Sequence, residues 1–533
     1  MFSTSEASYK TRRRSPKVKT GCKTCKVRRV KCDEKKPECL KCTRSGRKCD
    51  GYTTNDANFQ VHVWSHGKAS DPQNAISTFN GLGDSARYLD FYYHCACPAL
   101  STNFDKEFWS RIVLQMAHSE PAVRHAVIAL GALCQTEPGD MKHACAGLIA
   151  NHERKIVLSH YNKSIGCLVS RMSEATYSPE LGLVICLLFV CIEFLQGNYH
   201  AAFTHLRNGF KLMYAPRIEL PNYRDSLQTT YPPNVALDGS GFSRSSTEDK
   251  LIPIFTRGVA QALLYGSRIQ EDLEIPQLVH ATYSKRPFVS LSETQQAYFE
   301  LRNASISHLY TMGRRTLLRQ ESCLELYQER DNLLACHHVW YENMRRFEKQ
   351  HALSGDELIA ASALKVSYHT TFVYVSCSAT VIEKTYDNYL DHFKEILRHA
   401  QAIIDSRPPT NPNTAHFTFD IAIIPQLYFV ATRCRCPITR REAVALLERN
   451  PPREGLWDVQ QHVVVSKRAI EMEEAEVNPN TGWPVEETRL WNCIIKAGMD
   501  RSGGFEATFL PATWIGLVDA NGNQKMIRES FVL

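Results

Sequence analysis

The chain has 533 residues, 43% of them hydrophobic, and 63 Lys/Arg against 56 Asp/Glu give it a formal net charge of +7. That content supports a large core and, by length, more than one domain; no run reaches the roughly 18–20 apolar residues of a membrane span, and the longest, Leu181 to Ile192, stops at Glu193 and reads as a buried helix. The first 20 residues are polar and basic, so no secretory signal is expected, and the 19 cysteines should meet a reducing compartment as metal ligands or buried thiols.

Charge gathers at one end. Residues 1–52 carry 17 Lys/Arg and 5 Asp/Glu, a balance of +12 that leaves −5 for the remaining 481. A small basic module on a mildly acidic body points to a polyanion partner for the N-terminal part alone. Residues 1–20 form a basic arm around Arg12, Arg13, Arg14, Lys17 and Lys19. It suits a nuclear import signal, a minor-groove arm or a disordered tail.

Residues 21–52 hold the densest motif. Cys22, Cys25, Cys32, Cys39, Cys42 and Cys49 follow C-x2-C-x6-C-x6-C-x2-C-x6-C, and the half Cys22/Cys25/Cys32 recurs 17 residues later. A segment this short buries little, so metal must supply its folding energy, on the order of 10–16 kcal/mol per structural zinc. Structural zinc takes four ligands in a tetrahedron. Six cysteines suit one zinc with two thiols left over, or two Zn²⁺ sharing two thiolates. The internal repeat favours sharing, with corresponding cysteines of the two halves as bridges. Residues 21–52 contain no His, which excludes a finger with histidine ligands.

The segment resembles the fungal zinc binuclear cluster transcription factors over Gly21 to Tyr52, including Cys25-Lys26-Val27-Arg28-Arg29-Val30-Lys31-Cys32 and Pro37 between the halves. The resemblance implies that Cys22 and Cys39 bridge two zinc ions. It also implies that Arg28 and Arg29 approach the bases of a CGG-like triplet in double-stranded DNA, with Lys26 and Lys31 on phosphate. Lys23 is a further phosphate candidate. Arg suits guanine because its fork reaches O6 and N7 together. For a chain of this size acting on DNA, nuclear import becomes the preferred use of the arm.

Residues 53–82 are polar and read as a linker without an apolar heptad repeat, so a coiled-coil dimerisation device is not expected there. One triplet gives little specificity against a genome, so a second contact is expected, from a homodimer or another regulator. Residues 83–500 read as all-α. Ser119-Glu120-Pro121 predicts a helix start, with Val123, Val127, Leu130 and Cys134 on one apolar face. Tyr199 to Met213 keeps helical spacing, and Thr439-x-x-Glu442 reads as a capping box for a helix ending before Pro451. Residues 215–249 predict a long loop, and residues 501–533 an extended or partly disordered tail.

Three stretches of this body resemble the regulatory domain that accompanies such clusters: Gly197 to Gly209, Pro425 to Arg433 and Arg453 to Asp458. That domain is all-helical and regulatory and carries no known chemistry. No P-loop, GxGxxG, GxSxG or HExxH occurs, and no catalytic residue is assigned. The thirteen other cysteines are expected to be buried thiols, and His337-His338 to lie on a helix surface. The sequence thus predicts a nuclear, sequence-specific transcription factor for RNA polymerase II genes that works with the transcription machinery, with a metabolite gene cluster as its range. A zinc-responsive sensor and an enzyme localised to DNA are the alternatives. A sensor does not need 17 cations, and no motif argues for an enzyme.

Overall fold

The computed structural model describes residues 22, 24–25, 28, 30–33, 35, 39–46, 48–49, 85–100, 105–147, 151–214, 251, 254–255, 257–258, 287–407, 414–419, 422–496 and 498–533. The basic arm, the linker and the 215–249 loop lie outside them. The chain divides into two compact units, residues 1–70 and 71–533. Among the described residues of the first lies a short helix, α1 (Leu40–Arg44).

The second unit is mostly helical. Its first core is built on α2 (Pro121–Thr136), α3 (Asn151–Met172), α4 (Pro179–Leu195) and α5 (Tyr199–Tyr214). Leu181 to Ile192 lies within α4, which is buried almost all round because its sequence is apolar on every face. An earlier helix, Ala86–Phe91, runs through a π turn at Tyr92–Ala96 and crosses α2 at Gly131. A Cβ there would meet the Tyr88 carbonyl oxygen at 2.3 Å, so only glycine permits this approach.

Two predicted helix starts shift. Ser119 closes the preceding helix, Val113–Ser119, and its hydroxyl donates to the Met116 carbonyl; the residue before α2 is Glu120, in extended backbone. Pro121, which fits the first turn because its missing N–H has no partner to lose, was the stronger signal. Likewise α11 (Pro437–Glu448) starts at Pro437, after Cys436, and Thr439 is buried inside its first turn.

A second core joins α6 (Leu291–Leu317), α7 (Leu324–Gln350) and α8 (Gly355–Cys377). Trp340 Nε1 donates to the Thr294 carbonyl at 3.0 Å, so this buried indole is satisfied. Ser354 and Glu357 cap α8 reciprocally. Helix α9 (Leu390–Asp405) packs on α8. Then β1 (Phe417–Thr418) pairs in parallel with β2 (Arg453–Glu454), and the Glu454 carboxylate accepts the N–H groups of Ala422, Ile423 and Ile424 at the start of α10 (Ile424–Arg433).

The C-terminal stretch is more ordered than its sequence suggests. Strands β3 (Leu490–Ile495), β4 (Gly504–Pro511) and β5 (Ile527–Val532) form an antiparallel sheet in the order β3-β4-β5. It packs on α12 (Val459–Glu473) through Val465, Ala469, Cys493, Phe505 and Phe509. Beneath it lies a buried ionic knot. The Glu473 carboxylate accepts from Arg435 at 2.8 Å, Arg440 at 2.6 Å and the Leu490 N–H at 2.8 Å. Arg433 pairs with Glu383 at 2.9 Å.

Several histidines are inside. His337 is fully buried against Ser305 Oγ at 2.9 Å, and only His338 reaches the surface expected for both. The reason is phase: His337 falls on the face of α7 that carries Leu333, Trp340 and Met344. Of the thirteen thiols expected to be buried, Cys323 is exposed and Cys95, Cys145, Cys167, Cys186, Cys336 and Cys436 are half-buried. Burial holds His337 and His369 down to about 3, and His462 to about 4. Unfolded histidine titrates near 6.5, so between there and the folded values the unfolded chain binds more protons, and stability falls as pH falls. Each such histidine contributes about 1.4 kcal/mol per pH unit. The urea midpoint of the full chain, followed by tryptophan fluorescence, should be clearly lower at pH 5 than at pH 7. Equal midpoints would contradict this reading.

Candidate metal centre

The site grows from one local device used twice. Cys39 precedes α1 in extended backbone (φ −77°, ψ 139°), and its Sγ accepts the Cys42 N–H at 3.3 Å. Cys22 Sγ accepts the Cys25 N–H at 3.4 Å in the same way. The third cysteine of each half closes a matching ring: Cys22 N–H donates to Cys32 Sγ at 3.4 Å, and Cys39 N–H to Cys49 Sγ at 3.5 Å. The sequence repeat is therefore a repeat of geometry.

The two halves meet sulfur to sulfur. Cys22 Sγ lies 3.5 Å from Cys39 Sγ and 3.8 Å from Cys42 Sγ, and Cys25 Sγ lies 3.6 and 3.8 Å from the same two. Two tetrads result, Cys22/Cys25/Cys32/Cys39 and Cys22/Cys39/Cys42/Cys49, with all ligand atoms of each within 4.8 Å of one another. Cys22 and Cys39 belong to both. Thiolates at tetrahedral corners about 2.3 Å from a zinc stand roughly 3.8 Å apart, so the spacing and the soft donor set fit zinc. Among the described residues of the unit, these cysteines form the buried hydrophobic cluster. Burial pushes the Cys22 thiol up to about 12 and raises Cys25 and Cys39 as well, so a metal must displace protons to bind.

Asp33, just after Cys32, ties the halves together. Its carboxylate accepts the Leu40 and Lys41 N–H groups at 3.1 Å, capping α1 from the other half. Desolvation works against its charge, but these N–H donors prevail and hold its carboxyl below the usual range.

Among the predicted DNA contacts, Arg28 and Lys31 are described, whereas Lys23, Lys26 and Arg29 lie outside the described residues. Lys31 is exposed. One Arg28 nitrogen donates to Ser45 Oγ at 3.0 Å, and Ser45 donates on to the Lys41 carbonyl at 2.8 Å. That contact aligns the guanidinium across the halves and leaves most of its five donors uncommitted by it. Sequence reasoning passed over Lys41, Arg44 and Lys48, which are exposed in the second half and extend the positive surface. The repeat itself could have flagged Lys48, which stands 17 residues after Lys31 and, like it, just before the closing cysteine of its half.

Residues 20–58 match the fungal Zn(2)-Cys(6) binuclear cluster domain, and residues 87–227 match the fungal specific transcription factor domain. Over 89% of its length the chain is 22% identical to the aspercryptin biosynthesis cluster-specific transcription regulator atnN of Emericella nidulans, covering 90% of that protein. It is 30% identical to the transcription regulator lscL of Purpureocillium lilacinum, over 36% of this chain and 48% of that one. It is 28% identical to the Zn(2)-C6 fungal-type transcription factor afumD of Aspergillus fumigatus, over 41% and 58%. No solved structure matches the chain. Among the described residues no helix is long and apolar enough to cross a membrane.

Proposed function

Because this chain carries a fungal Zn(2)-Cys(6) cluster domain followed by a fungal specific transcription factor domain, as regulators of transcription do, we propose that it binds CGG-like triplets from the nucleus to control RNA polymerase II genes. The observation that carries this reading is the pair of sulfur tetrads sharing Cys22 and Cys39 within a strongly basic segment. Two zinc ions held by the six cysteines fix the polypeptide between Cys25 and Cys32. Arg28 and Arg29 read bases from it, and Lys23, Lys26 and Lys31 hold phosphate. A rigid frame lowers the entropy lost when these side chains engage. Residues 21–52 are the reading domain, joined by the 53–82 linker to a regulatory body over 83–500 and a C-terminal segment over 501–533. A second copy of the chain or another regulator supplies the second DNA contact. The printed name of atnN, a biosynthesis cluster-specific regulator, supports a metabolite gene cluster as the range of action.

The test uses the full zinc-loaded chain and fluorescence anisotropy on CGG-containing and scrambled duplexes. A bidentate Arg–guanine pair is worth about 1–3 kcal/mol of discrimination, so Arg28→Ala and Arg29→Ala should each shrink the preference for CGG by roughly one order of magnitude or more. Lys31→Ala should weaken both duplexes alike and lower the salt slope by about 1. Equal binding to both duplexes by the unaltered chain would overturn the triplet reading.

A further inference from the structure

Helix α3 carries an apolar stripe on the surface. Leu158, Ile165, Val169 and Met172 are 39–59% exposed, although each is a large apolar side chain. Their spacing of seven, four and three residues puts them on one line along the helix. Asn162 falls on the same line and is exposed with them. Counted as heptads, Leu158, Ile165 and Met172 take d positions, and Asn162 and Val169 take a positions. Apolar residues exposed singly need no explanation, but a contiguous line of four marks an interaction surface.

The flanks of the line show what covers it. On one side stand Tyr161 and Leu168, half-buried against the first core, so the apolar surface continues into the body there. On the other stand Ser159, Gly166 and, just past the helix, Ser173, all small and exposed. A Cβ added to Gly166 meets nothing within 4 Å, so the space above it is open. In a parallel pair of heptad helices, a g side chain of one lies against the e side chain five residues further along the other. Tyr161 then meets Gly166 of a second copy, and Leu168 meets Ser173. Large fits small at both contacts, and neither opposes like charges. Lys155 takes the a position at the outer end of the line, where it is exposed and water and salt screen it.

We propose that α3 is the interface through which two copies of this chain pair, in parallel and about a two-fold axis. Asn162 decides the occupant. In parallel alignment it meets Asn162 of the second copy, and the two amides bond each other. Against a wholly apolar helix, or in antiparallel alignment, a buried amide would go unmet. A single polar a residue fixes register and oligomer state in this way, at some cost in stability. The proposal rests on the reading that one triplet needs a second DNA contact, and it names a second copy as the source. The heptad line not found in the sequence of residues 53–82 is thus carried by the helical body.

Sedimentation velocity on the full zinc-loaded chain without DNA tests this. The expected result is a reversible equilibrium between monomer and dimer. Val169→Glu sets like charges across the seam and should raise the dissociation constant about tenfold or more; an unchanged melting temperature shows that this variant folds. Leu324→Glu, at a 67% exposed apolar position that begins α7, should leave the equilibrium as it is. Asn162→Leu should tighten association and add species larger than a dimer. In a mixture of light and heavy-isotope chains, a lysine cross-linker should join Lys155 of one copy to Lys155 of the other. A chain that stays monomeric up to its solubility limit, an undiminished dimer in Val169→Glu, an equal loss in Leu324→Glu, or links between copies that avoid α3 would each overturn the proposal. No DNA enters these measurements, so their failure is distinct from a failure of the triplet reading.

Discussion

On the proposed two-zinc reading, Cys39→Ser should strip the chain of both ions, whereas Cys49→Ser should leave one. Cys39 Sγ belongs to both tetrads, so its loss leaves three sulfurs at each site; Cys49 belongs to one, and the set Cys22/Cys25/Cys32/Cys39 survives its removal. Each structural zinc contributes on the order of 10–16 kcal/mol to a unit of this kind, as much as the total stability of about 5–15 kcal/mol that an ordinary domain has. Metal per chain by elemental analysis should fall from two to near zero in the first variant and to about one in the second. DNA binding should disappear in Cys39→Ser. Equal metal content in the two variants would remove the case for shared thiolates.

The second large effect lies in the regulatory unit. Glu473→Gln should destabilise it by about 3–5 kcal/mol, the usual cost of removing one partner from a buried ion pair. Glu473, Arg435 and Arg440 all have fully buried side chains, and the carboxylate also accepts the Leu490 N–H that begins β3. Without its charge, two guanidiniums stay in a dry interior. The contrasting variant is Glu529→Gln, which breaks a pair with the 40% exposed Arg468 and should cost at most about 1 kcal/mol. Urea unfolding of both variants distinguishes a structural knot from a surface contact, and a loss below 1 kcal/mol for Glu473→Gln would show that the knot is dispensable.

The metal site was legible because its chemistry is local. A thiolate set must come at fixed intervals, and Cys22 through Cys49 spell those intervals in 28 residues. The longer helices were legible for a similar reason, since α4 is an unbroken apolar run and α5 carries its burial as apolar periodicity. Helix ends were less so, because Ser119 and Thr439 are good caps by type yet the adjacent prolines set where each helix begins. The sheet hid because β3 buries Leu490, Cys493 and Ile495 without strict alternation. Charged residues such as Glu473 read as surface, and only the fold brings Arg435 and Arg440 to them. A cavity of about 140 Å³ in the helical unit could not be read at all, since its walls span Arg302 to Ile495 and exist only after the chain has folded.

A cluster core of six cysteines changes how the N-terminal unit responds to temperature. Heat capacity rises on unfolding because apolar surface meets water, by about 12–15 cal/mol/K per residue in ordinary domains. Among the described residues of the 1–70 unit the buried hydrophobic cluster consists of six cysteines, and a core of that kind gives a free energy that runs almost straight with temperature and lacks a cold-side decline. The body, with its three apolar cores, should follow the familiar dome and weaken on both sides of its optimum. Warming or chilling therefore acts on the body first, while the part that touches DNA answers to metal supply.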